Sequence, residues 1–184
     1  RQFLCSGKTF ACMVSGPAHT MTNPGAFRLD RVPDRADGRS VRELLMSGGA
    51  ACFMWATFPN ITEAVSVMEA WGFVYKTAAF VWVKKNTKSG GNFWGMGAYT
   101  RANAEVCLLG VTPDFKAGQM IKAHNVHQII EAPFEGHSKK PDETRRRIVS
   151  LLGDVPRIEL FARQRADGWD AWGNEVPEEQ EAVT

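Results

Sequence analysis

The residues best suited to chemistry stand in three blocks near the C-terminal end of the chain. Residues 140–143, Lys-Pro-Asp-Glu, have the composition of a helix start, and residues 157–163 predict a buried strand that ends in polar side chains. The third block, residues 169–175, is rich in aromatic side chains and closes with Gly173 and Asn174. Ligands of open α/β sheets bind at the carboxyl ends of strands. We therefore expect Arg163 and its neighbours to line a ligand site.

The elements that would position these blocks alternate between strands and helices. Apolar runs predict strands at residues 10–14, 50–56, 73–85, 106–111, 128–132 and 158–161. Capping residues and apolar spacing predict helices at residues 40–46, from residue 60 or 62 to 71, and at 141–152, with Gly72 ending the second. This alternation predicts a single three-layer α/β domain over residues 1–176, followed by an acidic tail at 177–184. A long, loop-like segment at residues 19–38 interrupts it.

Composition sets limits on the function. A chain of 184 residues with 44% hydrophobic residues suits one compact domain. The net charge is only +2, so any binding of nucleic acid must depend on local basic patches. Two basic runs are present, residues 84–88 and the pair 139–140 with 145–147. Solvated surface charge is the alternative interpretation of either run.

Cysteine and histidine spacing predicts neither disulfides nor a metal site. Cys5, Cys12, Cys52 and Cys107 are far apart without a C-x-x-C pair, which is typical of reduced core thiols in a cytosolic protein. His124 and His127 lack neighbouring acidic or thiol ligands.

The length of the apolar runs bears on where in the cell the protein is expected. They fall below the ~18 residues that a membrane span requires, and no signal peptide is visible, so we expect a cytoplasmic protein without membrane contact. The chain begins at Arg1 and not at Met, from which we expect a trimmed or non-natural start.

Four further blocks complete a family resemblance. They are residues 52–57, 68–73, 82–84 and 95–105. Together with the C-terminal blocks, and in this order and spacing, they resemble the MT-A70 family of S-adenosylmethionine (SAM)-dependent adenine-N6 methyltransferases. The match is most similar to the short bacterial and phage members and covers about residues 10–176. It implies a Rossmann-like methyltransferase fold in permuted order, with the catalytic strand first and the SAM-binding strand last.

The resemblance also implies a set of cofactor-binding residues. Lys140 would contact SAM, and Glu159, Phe161 and Arg163 would line the pocket for its adenosine. Asn174 and Glu175 would reach the ribose. The chemistry agrees, because a ribose diol is matched by a carboxylate or an amide, and a carboxylate by a cation. The alternative for Glu159 and Arg163 is a structural ion pair.

The catalytic motif departs from the family pattern. Family members carry Asp-Pro-Pro-Trp after the first strand, where the acidic residue and the next carbonyl accept hydrogen bonds from the target amine. This chain has Ser15, Gly16, Pro17 and Ala18 there. Ser15 and Gly16 keep acceptor oxygens, but Ala18 cannot stack on a base. His19 either replaces the missing ring or is a loop histidine without a role.

Substrate contacts are expected from the glycine-rich segment before residue 106. By resemblance, Trp94, Tyr99, Arg101 and Asn103 face the substrate side. Trp and Tyr can stack on bases, and Arg can bind phosphate. The alternative is that Trp94 and Tyr99 pack this loop onto the sheet.

Three functional hypotheses remain open. The first is a SAM-dependent methyltransferase acting on the adenine 6-amino group of nucleic acid, DNA in preference to RNA. The second is a catalytically inactive homologue that serves as a nucleic-acid-binding or partner-binding subunit, and the third is an altered chemistry. A homodimer or an active methyltransferase partner is compatible with the first two.

Overall fold

The computed structural model describes residues 41–97, 99–135, 139–173 and 176, together with the backbone of residues 12–15. Its strands are β1 (Cys12–Ser15), β2 (Ala51–Ala56), β3 (Val74–Lys85), β4 (Ala104–Val111), β5 (Ile129–Pro133), β6 (Arg157–Leu160) and β7 (Asp170–Trp172). Its helices are α1 (Ile61–Ala70), α2 (Ala117–Met120) and α3 (Asp142–Leu152), with 3-10 turns at Val41–Leu44 and Phe58–Asn60. The loop expected at residues 19–38 and the tail at 177–184 lie outside this description.

One mixed sheet organises the described residues. Its seven strands lie in the order β5-β3-β4-β2-β1-β6-β7. β4 runs antiparallel to both of its neighbours, and the other neighbouring pairs are parallel. The carboxyl ends of six strands therefore meet at one edge of the sheet, where the amino end of β4 joins them. We call this the carboxyl edge.

Helices cover both faces of the sheet, so the predicted α/β class is confirmed. Cys52 and Met54 of β2 pack in one core with Met68 of α1. The alternate residues Phe53 and Trp55 pack in a second core, to which α3 contributes Ile148 and Leu152. A strand buried on both faces appears in the sequence as an unbroken apolar run, as residues 51–56 do.

Most predicted elements are found within two residues of their expected bounds. The segment predicted as a helix at 40–46 is a four-residue 3-10 turn, and β7 and α2 were not predicted. Three or four residues are too few to show a periodicity, which explains both omissions. Gly72 ends α1 as expected, with φ of 93°.

The described thiols are core residues. Cys52 and Cys107 are buried, as predicted. Burial raises the pKa of the Cys52 thiol, so it packs as a neutral group. No helix in the part of the chain that the structure describes is long and apolar enough to cross a membrane.

Candidate active site

The first strand ends in the middle of the carboxyl edge. Ser15 is in register with Met54 of β2 and with Leu160 of β6. The end of the expected catalytic strand therefore lies directly beside the end of the expected cofactor strand. Gly16, Pro17 and His19 lie outside the described residues.

The chain after β6 is held in a specific conformation against β7. Phe161 has φ of 57°, a left-handed conformation that is uncommon for a residue with a side chain. Its ring meets Trp172 edge-on, with centroids 5.3 Å apart. Ala162 N–H donates to the Trp172 carbonyl at 2.9 Å. A Cβ on Gly173 would lie 2.2 Å from the Ala162 oxygen, so this close approach requires glycine.

A shared carboxylate stands on the α3 side of the carboxyl edge. Glu105, at the start of β4, accepts a hydrogen bond from Lys84 Nζ at 2.7 Å through Oε1. Its other oxygen, Oε2, accepts from Lys140 Nζ. The three side chains are only 9–15% exposed. We call Lys84, Glu105 and Lys140 the lysine–glutamate cluster.

Aromatic rings form the floor beneath this cluster. Trp55 and Trp82 meet edge to face, with ring centroids 6.4 Å apart. Lys140 Nζ lies 5.8 Å and 5.7 Å from the two centroids. Lys84 Nζ lies 5.2 Å from Trp82 and 5.1 Å from Phe134. Both ammonium groups are thus within cation–π distance of an apolar surface that excludes water.

Burial and neighbouring charges shift the ionisation of the cluster. Burial alone would raise the pKa of Glu105, but Lys140 and Lys84 outweigh it and hold that pKa below its usual value. Burial lowers the pKa of Lys140, and the charges of Lys84 and Arg163 act in the same direction, against the attraction of Glu105. Arg163 thus acts electrostatically on Lys140, and its own side chain is exposed.

Glu159 is paired with a residue that was not anticipated. Arg145 of α3 contacts Glu159 Oε2 through Nε at 2.8 Å and through a terminal nitrogen at 2.7 Å. The sequence allowed a structural ion pair between Glu159 and Arg163. In the structure, Glu159 forms an ion pair with Arg145. Asn174 and Glu175 lie outside the described residues.

The expected substrate residues lie in the loop between β3 and β4. Phe93 anchors this loop by stacking on Phe134, with centroids 4.8 Å apart. Trp94 is 60% exposed and Tyr99 fully exposed, so neither packs the loop onto the sheet. Arg101 donates to the Met96 sulfur.

Asn103 joins the loop to the lysine–glutamate cluster. Its carbonyl accepts a hydrogen bond from the Lys84 backbone at 2.8 Å. The expected substrate loop therefore begins and ends beside the expected cofactor site.

The two basic runs are not one continuous cationic patch. Lys85 pairs with Glu131 at 2.8 Å, and both Arg146 and Arg147 pair with Glu143. A cleft of about 440 Å³ opens between β5 and the start of α3, and Lys140 lines its wall. Within the described ranges, no group of three or more His, Cys, Asp or Glu residues could hold a metal ion.

Sequence reasoning missed the centre of this site. Glu105 was noticed only as part of a family block, and Lys84 only as part of a family block and of a basic run. One indication was available: Glu105 is the only charged residue in 104–111. A carboxylate in a buried strand is costly unless it is paired, so a cationic partner could have been expected.

Comparisons with known proteins find relatives of this chain. Residues 38–175 match the family model described as MT-A70. The chain is 36% identical over 129 residues to the Type II methyltransferase M.MunI of Mycoplasma sp, covering 68% of this chain and 50% of that protein. It is 26% identical over 127 residues to an N(6)-adenosine-methyltransferase MT-A70-like protein of Arabidopsis thaliana, covering 67% of this chain and 18% of that protein. A similar protein of Oryza sativa subsp. japonica, described as probable, is also 26% identical. The chain thus spans half or less of the length of these relatives.

Proposed function

The chain belongs to the MT-A70 family, and from this premise we propose that it is a SAM-dependent methyltransferase that acts on the adenine 6-amino group in nucleic acid, DNA in preference to RNA. The observation that carries this proposal is the lysine–glutamate cluster at the carboxyl edge, with the charge of Arg163 acting on Lys140. The names of the plant relatives specify an adenosine acceptor, and adenine is therefore the base we propose.

The residues present fit SAM. Its carboxylate needs cations, and Lys140 and Arg163 are electrostatically coupled cations of which Arg163 is exposed. Its adenine ring needs apolar surface, and the half-buried Phe161 and Trp172 offer it beside β6. Thr144, in the first turn of α3 and four residues after Lys140, has a buried hydroxyl without a hydrogen-bond partner among the described residues.

The chain's own residues would bind, orient and exclude water. SAM, when bound, supplies an activated methyl group, and transfer to an amine requires no metal or protein nucleophile. Lys140 and Arg163 would hold the donor, while the Ser15 hydroxyl and the Gly16 carbonyl would accept hydrogen bonds from the target amine. The aromatic floor of Trp55 and Trp82 keeps the Lys140 side dry, which strengthens its attraction for anions.

The permuted strand order of the family is part of the proposal. β1 would be the catalytic strand and β6 the cofactor strand. Their parallel pairing, with Ser15 level with Leu160, supports this because it brings donor and acceptor sites together without an intervening strand. Trp94, Tyr99 and Arg101 are exposed on the β3–β4 loop and would contact the nucleic acid.

The cofactor assignment is tested by calorimetric titration of SAM into the purified protein and its Arg163→Ala variant. We expect micromolar binding to the wild type and binding weakened about tenfold in the variant, because an exposed cation is lost from the carboxylate site. Arg165→Ala, which removes a second exposed arginine from the same loop, is the matched control. Absence of SAM binding to the wild-type protein would exclude the methyltransferase function.

A catalytically inactive homologue is the second candidate, and the Ser15-Gly16-Pro17-Ala18 motif favours it. Replacing Ser15 with Asp is expected to raise methyl transfer to adenine-containing oligonucleotides by about tenfold, since a carboxylate is a stronger acceptor for the amine than a hydroxyl. Ser15→Asn, which has a similar size without the charge, is the control. If SAM binds but neither the wild type nor Ser15→Asp transfers methyl groups, the protein is a binding subunit.

A further inference from the structure

Glu105 is shared by two lysines that come from distant parts of the chain. Lys84 projects from β3 and contacts Oε1 at 2.7 Å, whereas Lys140 precedes α3 and contacts Oε2. Two ammonium groups therefore face one carboxylate, and the lysine–glutamate cluster carries an excess of one positive charge. Arg163 adds to the positive potential on the Lys140 side.

We propose that Lys84 is a positioning residue for the anionic end of the cofactor: by neutralising Glu105, it leaves the charge of Lys140 available to a ligand carboxylate. This inference rests on the proposed SAM-binding function and assigns a role within the same site. It concerns Lys84, which contacts Glu105 and is not among the cofactor-binding residues implied by the family resemblance.

The electrostatic reason concerns Glu105, which would lose its only cation if Lys84 were absent and a ligand drew Lys140 away. A Lys140–Glu105 pair alone would be neutral, and a ligand that drew Lys140 away would strand a carboxylate that is 9% exposed. Stranding a buried charge is strongly unfavourable. Because Lys84 holds the other oxygen, Glu105 keeps one ion pair and one charge-assisted hydrogen bond when Lys140 turns to an anion.

The positions of the two lysines distinguish their roles. Lys84 stands on β3, a strand of 12 residues, with its ammonium within 5.2 Å of the ring centroids of Trp82 and Phe134. Its backbone N–H is also held by Asn103. Lys140 lies outside regular structure, in the segment between β5 and α3. The fixed cation thus compensates Glu105, and Lys140, on the side where Arg163 adds positive potential, meets the ligand.

The test compares two ligands in wild type and Lys84→Met. SAM carries the amino-acid carboxylate, whereas methylthioadenosine has the same nucleoside without it. We expect Lys84→Met to bind SAM about tenfold more weakly and to bind methylthioadenosine as the wild type does. The variant loses one positive charge next to the site of the SAM carboxylate, a group that methylthioadenosine lacks. Methionine keeps the apolar stem over the aromatic rings, which preserves the packing.

Matched variants separate charge from structure. Lys85→Met removes the same charge from the next residue, whose partner is Glu131, and is expected to change neither affinity. Lys84→Gln keeps a donor for Glu105 without the charge and should repeat the SAM loss if Lys84→Met does not fold. Lys84→Arg should restore SAM binding.

The outcomes are distinguishable. If Lys84→Met and Lys84→Gln bind SAM as tightly as the wild type, or lose both ligands to the same extent, Lys84 is not a positioning residue. If the wild type itself does not bind SAM, the proposed function fails and this inference fails with it. Selective loss of SAM, with rescue by Lys84→Arg, supports the assignment.

Discussion

Replacing Lys140 with alanine is expected to weaken SAM binding by about 100-fold while leaving the fold nearly as stable. The ligand loses the ammonium group of Lys140, which lies over the rings of Trp55 and Trp82, where charges are poorly screened. Glu105 nevertheless keeps its pair with Lys84 at 2.7 Å, so no buried carboxylate is stranded. Titration calorimetry measures the first effect and urea denaturation the second.

The neighbouring residue supplies the control for this experiment. Lys139 carries the same charge, but its side chain is 43% exposed and pairs with Glu135. An exposed ion pair of this kind contributes little, so Lys139→Ala should change SAM affinity by less than about twofold. Equal losses from the two variants would mean that net charge, and not the position of Lys140, governs binding.

Replacing Glu105 with alanine is expected to lower the free energy of unfolding by roughly 3 kcal/mol at neutral pH, because it leaves two buried ammonium groups without their carboxylate. The side chains of Lys84 and Lys140 are only 15% and 14% exposed, so water cannot replace the lost partner fully. Urea denaturation of wild type and variant measures the difference.

The pH dependence of that difference identifies its cause. Although burial opposes it, the two lysines hold the pKa of Glu105 below its usual value of 4.5 in the folded state. A lowered folded-state pKa means that the contribution is complete above the unfolded pKa and is lost as the pH falls through the folded one. The gap between wild type and Glu105→Ala should therefore close in acid.

A surface ion pair gives the matched comparison for the stability experiment. Glu131 pairs with Lys85 at 2.8 Å but is 60% exposed. Glu131→Ala should cost no more than about 0.5 kcal/mol, because solvent screens such a pair. If Glu105→Ala is as mild as this control, the lysine–glutamate cluster does not stabilise the fold.

The two experiments should affect different properties of the same cluster. Lys140→Ala removes the ligand's cation and keeps a buried ion pair, so binding falls and stability is retained. Glu105→Ala removes the shared anion and keeps both cations, so stability falls while the positive charge that attracts a carboxylate remains. Opposite patterns of loss would confirm that Lys140 serves the ligand and Glu105 serves the fold.

The sequence by itself determined the fold class and predicted the edge at which a ligand is expected. Unbroken apolar runs such as residues 51–56 indicate strands buried on both faces. Gly72 ended α1 where predicted, because a left-handed backbone favours glycine. The polar end of β6 indicated a ligand site at the carboxyl edge, and Phe161 with Trp172 lies there. These features are local, so neighbouring residues are enough to reveal them.

Only the tertiary structure decided the strand order and the partners of the buried charges. The antiparallel placement of β4 brings Glu105 opposite Trp82 and within reach of Lys84. The start of α3 then delivers Lys140 to the same carboxylate, 35 residues along the chain. Likewise Glu159 pairs with Arg145 across the sheet–helix interface. Such pairs depend on register and packing between distant segments, which no local pattern of residues encodes.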